Sequence, residues 1–180
     1  MIQILLKDTD GARDAMSQTR QLLSKIGRIP PFYVNSFLIG QFYFDLYELK
    51  QAILSDDTHD IAKYRKKAAL SGKQALKNSD KSALDRTEIF RLMGTYCWLV
   101  NRKNKAMKWW DKSIGESRRF GFRIEAARTY MEIGKRLLEG NGGLKKDGDS
   151  KAEEYLEKAR IVFQEMKLQR DIDELDKIVA

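Results

Sequence analysis

Ala106-Met107-Lys108-Trp109-Trp110-Asp111-Lys112-Ser113, taken together with Met93-Gly94 just before it, decides the fold class of this 180-residue chain. Ala106 and Ser113 stand seven residues apart, about two helical turns, so both small side chains face the same way and let another helix approach. Gly94 lies inside a helix-spaced run, where glycine costs ~1 kcal/mol relative to alanine, so something is expected to pack where its Cβ would sit. The layout occurs three times. Gly40 follows Ile39, Gly94 follows Met93 and Gly134 follows Ile133; downstream come Ala62 with Ala69, Ala106 with Ser113, and Ala152 with Ala159. Self-similarity of this kind marks stacked helical repeats.

Outward from that stretch, apolar residues recur at helical spacing along almost the whole chain. The spacing predicts helices over 10–26, 32–55, 59–77, 83–100, 103–120, 124–138 and 151–166, and a short one over 171–179. Pro30-Pro31 marks a firm break, because proline lacks the amide hydrogen and biases its neighbour away from helix. Asp56-Asp57-Thr58 supplies N-cap chemistry, Asn78-Ser79-Asp80 and Gly121 end helices, and the polar, glycine-rich stretch 140–150 reads as a loop with Ser150 as the next N-cap.

Composition excludes much. With 42% apolar and 33% charged residues, the chain can bury a core as one domain, 1–180, and no apolar run approaches the ~20 residues of a membrane span. The opening Met1 to Leu6 is too short for a signal-peptide core, so a cytoplasmic location is expected. One cysteine, Cys97, and one histidine, His59, exclude an internal disulfide and Cys/His zinc sites and argue against Ser-His-Asp or Cys-His catalysis. Cys97 is expected to be a buried, inert thiol and His59 to be exposed. Stretch 142–146 lacks the Gly-Lys-Ser/Thr of a phosphate loop, and 147–150 lacks the acid spacing of a calcium loop. The chain reads as a non-enzyme without cofactor or metal.

Charge is uneven. Residues 1–60 carry 6 Lys/Arg against 8 Asp/Glu, 61–121 carry 16 against 5, and 122–180 carry 12 against 13, so the formal +8 belongs to the middle of the chain. Such a segment could attract nucleic acid, an anionic lipid surface or an acidic partner, or could be a solvated outer face. Lys63, Lys66, Lys67, Lys73 and Lys77 are expected to spread around their helix, and no Lys/Arg-Gly-Phe RNA motif is present; both count against nucleic acid.

The chain resembles the tetratricopeptide repeat family, in its long-helix variety. Phe90, Met93-Gly94, Ala106, Trp110 and Ser113 stand at the family's aromatic, apolar-Gly, small, bulky and small positions in one unit, and Tyr130, Ile133-Gly134, Ala152, Leu156 and Ala159 in the next. The Gly94 to Gly134 interval of 40 exceeds the usual ~34-residue period. The resemblance implies an all-α, right-handed superhelix of antiparallel helix pairs: a partial unit at 1–31, unit one at 32–79, unit two at 83–120, unit three at 122–167 and a capping helix at 168–180. Unit one matches weakly, with Ser36 where a bulky residue is expected and Lys66 where an aromatic is usual. The run 106–113, Phe120-Gly121 and 125–134 is also similar to the helical arrays of large bacterial signalling ATPases, cyclase-linked regulators and related activators, except that Phe122 replaces an acidic residue. That implies a piece of a larger protein.

Carried over residue by residue, the resemblance places Phe37, Gln41, Phe44 and Asp45 of unit one on a concave groove, with Glu88, Arg91, Thr95, Trp98 and Leu99 of unit two and Arg128, Met131, Lys135 and Leu138 of unit three. It implies a protein or peptide partner bound at Phe44, Arg91, Thr95, Trp98, Arg128, Met131 and Lys135, with the cations meeting carboxylates. Two other classes stay open: a nucleic-acid or acidic-surface binder acting through 61–121, and a homo-oligomerisation module.

Overall fold

The computed structural model describes residues 8–26, 31–140 and 148–179. These residues contain eight α-helices and no strand: α1 Thr9–Lys25, α2 Pro31–Leu54, α3 Thr58–Asn78, α4 Ala83–Leu99, α5 Lys103–Phe120, α6 Arg123–Gly140, α7 Gly148–Glu165 and α8 Gln169–Val179. The boundaries follow local chemistry. The Asp57 carboxylate accepts from the Asp60 amide at 3.0 Å to cap α3, and the Ser82 hydroxyl from the Asp85 amide at 3.3 Å to cap α4. Gly121 ends α5 at a φ of 72°, a left-handed turn that glycine adopts without strain. α7 begins at Gly148, two residues before Ser150, so Ser150 lies inside the helix and is not its N-cap. Residues 1–7, 27–30 and 141–147, with the expectations placed on them, lie outside the described residues.

Three antiparallel helix pairs make up most of the molecule. In α4–α5, the Ser113 hydroxyl reaches the Thr87 carbonyl and the Trp110 indole reaches the Arg91 carbonyl, so position rises along one helix as it falls along the other. In α6–α7, Arg123 pairs with Glu165 and Gly134 faces Leu156. In α2–α3, Phe42 meets Gly72. The pairs are stacked, with α2 and α3 against α4, and α4 and α5 against α6; α1 lies on α2 and α8 on α7. Ser113 joins three helices at one buried point, donating to the Thr87 carbonyl at 2.8 Å and standing 2.9 Å from the Thr129 hydroxyl, which explains a serine where an alanine would fit.

Units two and three bury the expected small and bulky residues: Ala106, Trp110 and Ser113, then Ala152, Leu156 and Ala159. Unit one does not. Ala62 and Ala69 are exposed; Ala68, Ser71, Gly72 and Ala75 face the core instead. Gly40 faces α1, with Met16 Cε 3.1 Å from where its Cβ would be. The close approach sits at Gly72, where the Phe42 ring comes within 2.8 Å of that point. Large and small have changed places between the two helices: α2 contributes Phe42, Leu46 and Leu49, and α3 contributes the alanines and glycine. Either arrangement fills the interhelical space, so packing alone does not require the order seen in the other two pairs.

Candidate functional site

The faces of α2, α4, α6 and α8 turned away from α3, α5 and α7 enclose a groove of about 620 Å³. That volume lies within the range of ligand clefts. Tyr43, Leu46 and Tyr47 come from α2, Arg91, Leu92 and Thr95 from α4, Arg128, Met131 and Lys135 from α6, and Arg170, Asp171 and Glu174 from α8.

Of the residues expected there, Arg91, Thr95, Arg128, Met131 and Lys135 line the groove together, and so do Glu88 and Leu99. Phe44 and Trp98 do not. Phe44 is buried on the other side of α2 against Ala12 of α1, where Gln41 also accepts from Arg20 at 2.8 Å and donates to Asp45 at 2.9 Å. Trp98 packs against Trp110 at 5.7 Å between centroids, lies 3.1 Å from the Cβ position of Gly140, and carries Lys103 Nζ 5.0 Å over its ring. Leu138 lines a second, shallower hollow beside α8. Phe44 is misplaced for the reason that Ala62 is: the sequence layout equates Gly40 with Gly94, whereas Phe42 meets Gly72 and, one turn on in this antiparallel pair, Leu46 falls near buried Ala68. Counting from Leu46 places Tyr43, Tyr47 and Lys50 at the positions Arg91, Thr95 and Trp98 hold in α4. The α8 contribution carries no repeat signature that could have announced it.

Most groove cations already have carboxylate partners. Arg128 donates to Asp171 at 2.9 Å and to Glu125 at 2.8 Å, so it ties α8 to α6 and is not the free cation expected from the sequence. Burial works against its charge, but the hydrogen bond to Asp171 and the charges of Glu125 and Asp171 outweigh that and hold its pKa above the ordinary arginine value. Arg136 donates to Glu132 at 2.8 Å and Glu139 at 2.7 Å; Glu132 also accepts from Thr95 at 2.7 Å, and Lys50 reaches Glu139 at 3.0 Å. Burial alone would raise the Glu132 carboxyl, yet the Arg136 charge and the Thr95 hydrogen bond keep it below its usual range. Lys135 and Arg170 are in no ion pair among the described residues, and Arg91 is only weakly paired. Its one carboxylate contact, to Glu88, is 3.3 Å long, and its buried Nε has no partner among the described residues. Burial pushes the Glu88 carboxyl up, against the pull of Arg91.

The outer face corrects the expectation about the lysines. At about 100° per residue, Lys63, Lys66, Lys67, Lys73 and Lys77 fall within an arc of about 120°, opposite buried Ala68, Ser71, Gly72 and Ala75. All five are exposed, and they form one stripe. Lys105, Lys108, Lys112 and Arg119 form another on α5, within about 60° and opposite Ala106, Trp110, Ser113 and Ser117.

Cys97 is buried, and burial pushes its thiol pKa up; His59 is exposed. Among the described residues, no three His, Cys, Asp or Glu side chains come together to hold a metal ion, and no helix is long and apolar enough to cross a membrane. Comparison with known proteins finds no match to this chain among family models, curated proteins or solved structures.

Proposed function

We propose that this chain is a non-catalytic interaction scaffold of the tetratricopeptide kind, its helix pairs stacked in a right-handed superhelix, and that its concave groove binds a protein segment bearing a carboxylate. The observation that carries this reading is Arg91: a guanidinium that lines the groove together with Tyr43 and Tyr47, with one long ion pair and a buried Nε that has no partner among the described residues. Planar guanidinium donors suit a carboxylate, and the half-buried Tyr43 and Tyr47 supply contact area that orders an extended or helical segment. Four parallel helix faces around one channel favour a peptide over a small rigid molecule.

Panning a random peptide library against the protein tests this. Bound peptides should be enriched in Asp or Glu, bind the Arg91→Ala variant at least about tenfold more weakly, and bind Lys135→Glu more weakly still, while helix content stays close to wild type. Peptides that bind both variants as they bind the wild type would place the partner surface elsewhere.

A further inference from the structure

The cations of α3 and α5 differ from those of the groove in what surrounds them. The two helices hold twelve Lys and Arg against Asp60, Asp111 and Glu116. Lys63 pairs with Asp60 at 3.1 Å, and none of the other eleven is in an ion pair among the described residues. Their neighbours are rings and hydroxyls: Lys63 and Lys67 over Tyr64, Lys103 over Trp98, Lys112 over Trp109, Arg119 over Phe120, and Arg118 donating to the Tyr130 hydroxyl. On α2, α4 and α6, Lys50, Arg86, Arg91, Arg123, Arg128 and Arg136 are paired, and Lys135 alone among the cations of those helices is in no ion pair among the described residues. The largest excess of positive charge thus sits on two helices that flank α4.

We infer that the two stripes, Lys63 to Lys77 on α3 and Lys105 to Arg119 on α5, bind the phosphodiester backbone of a duplex nucleic acid. Each stripe covers fifteen residues, fourteen steps or about 21 Å at 1.5 Å per step, the length of about six phosphates along one strand. Eight of the nine cations in the two stripes are lysines, which act as point charges on flexible stems and read no base pattern. Tyr64 and Trp109, the rings within the stripes, are half-buried with lysines over them, and Phe120 at the end of α5 stacks on Phe122 and carries Arg119, so these rings are poor platforms for single-stranded bases. A helix that lies on a membrane sinks its apolar face into lipid; α3 and α5 bury theirs in the array, and within the α3 stripe only Leu70 is large, apolar and exposed. Duplex phosphate is the polyanion that these features fit. The site is independent of the groove.

Fluorescence anisotropy with labelled duplexes of about 20 base pairs, in two unrelated sequences, tests the inference at about 50 and 200 mM salt. Both duplexes should bind alike. With about five phosphates neutralised, affinity should fall roughly 10²–10³-fold across that salt range. Lys66→Glu/Lys67→Glu/Lys73→Glu and Lys105→Glu/Lys108→Glu/Lys112→Glu should each weaken binding more than about tenfold, Arg91→Ala should leave it unchanged, and the corresponding Gln triples should weaken it less. Melting curves of the same variants separate lost binding from lost folding, and the Gln triples decide the matter if a Glu triple does not fold. No duplex binding at the lower salt, binding only to anionic vesicles, or unchanged affinity in folded triple variants would overturn it.

Discussion

Trp110 occupies the place where a side chain on Gly94 would stand: the indole Nε1 donates to the Arg91 carbonyl at 3.1 Å, and the ring lies flat enough on α4 that Cε2 is 2.7 Å from an added Cβ. The indole is wholly buried and held by its own hydrogen bond, so it cannot swing aside. Gly94→Ala should therefore destabilise the fold by about 1–3 kcal/mol, despite the gain in helix propensity. Gly115, on the exposed side of α5, has nothing within 4 Å, and Gly115→Ala should stabilise by about 0.4–1 kcal/mol. Urea denaturation of the two variants measures both; equal effects of one sign would contradict the packing.

In the first pair the sensitive positions belong to α3. Gly72→Ala should cost about 1–3 kcal/mol, because the Phe42 ring and Met93 Sδ, at 2.8 and 3.1 Å from the new Cβ, must both give way. Ala62→Leu and Ala69→Leu, on the exposed side, should stay within about 0.5 kcal/mol of wild type. Thermal melting of the three variants checks the register.

Sequence periodicity carried the helices, their pairing and the buried sets of units two and three, because Gly94, Trp110, Gly134 and Leu156 combine a rule that composition makes visible with a space that packing must fill. It failed at Gly40 for a physical reason. A mid-helix glycine says that something comes close, but not which helix comes, and at Gly40 the visitor is Met16 of α1. Arg91, Thr95, Arg128, Met131 and Lys135 line the groove because α4 and α6 share one register; Phe44 inherits the displaced register of Gly40, and Trp98 packs against Trp110 and Gly140. The partners of Arg128 and Arg136 depend on α8 and on the end of α6, distances that no local spacing encodes.

The Arg136–Glu132 pair is largely buried, with side chains 7% and 15% exposed. Arg136→Met should cost about 3–5 kcal/mol, since it leaves Glu132 with Thr95 as its remaining hydrogen-bond partner. Adding Glu132→Gln should recover part of that loss. A double-mutant cycle by urea denaturation reads the coupling, and additivity would show that the pair does not act as one unit.

Acid sensitivity should divide between two carboxyls. Glu132 is held below its ordinary value, so the folded state binds fewer protons there; the stability it contributes is present above the unfolded pKa and is lost as pH falls through the folded one. Glu88 is raised by burial and acts oppositely, relieving the fold as it protonates. Between about pH 6 and pH 3, Glu132→Gln should lessen the loss of stability and Glu88→Gln should enlarge it. Urea midpoints across that range test the signs.

Lys50 and Glu139 meet at 3.0 Å although they belong to α2 and α6, helices from the first and third pairs with α4 between them. In a linear stack each pair senses only its neighbours, and the array can fray from either end one unit at a time. A bridge that skips a unit alters that statistics: opening the third pair removes a partner from the first, so the two ends share a term in their energies. The pair is partly exposed and worth at most about 1 kcal/mol, so it shifts the melting of such a chain toward all-or-none by no more than that.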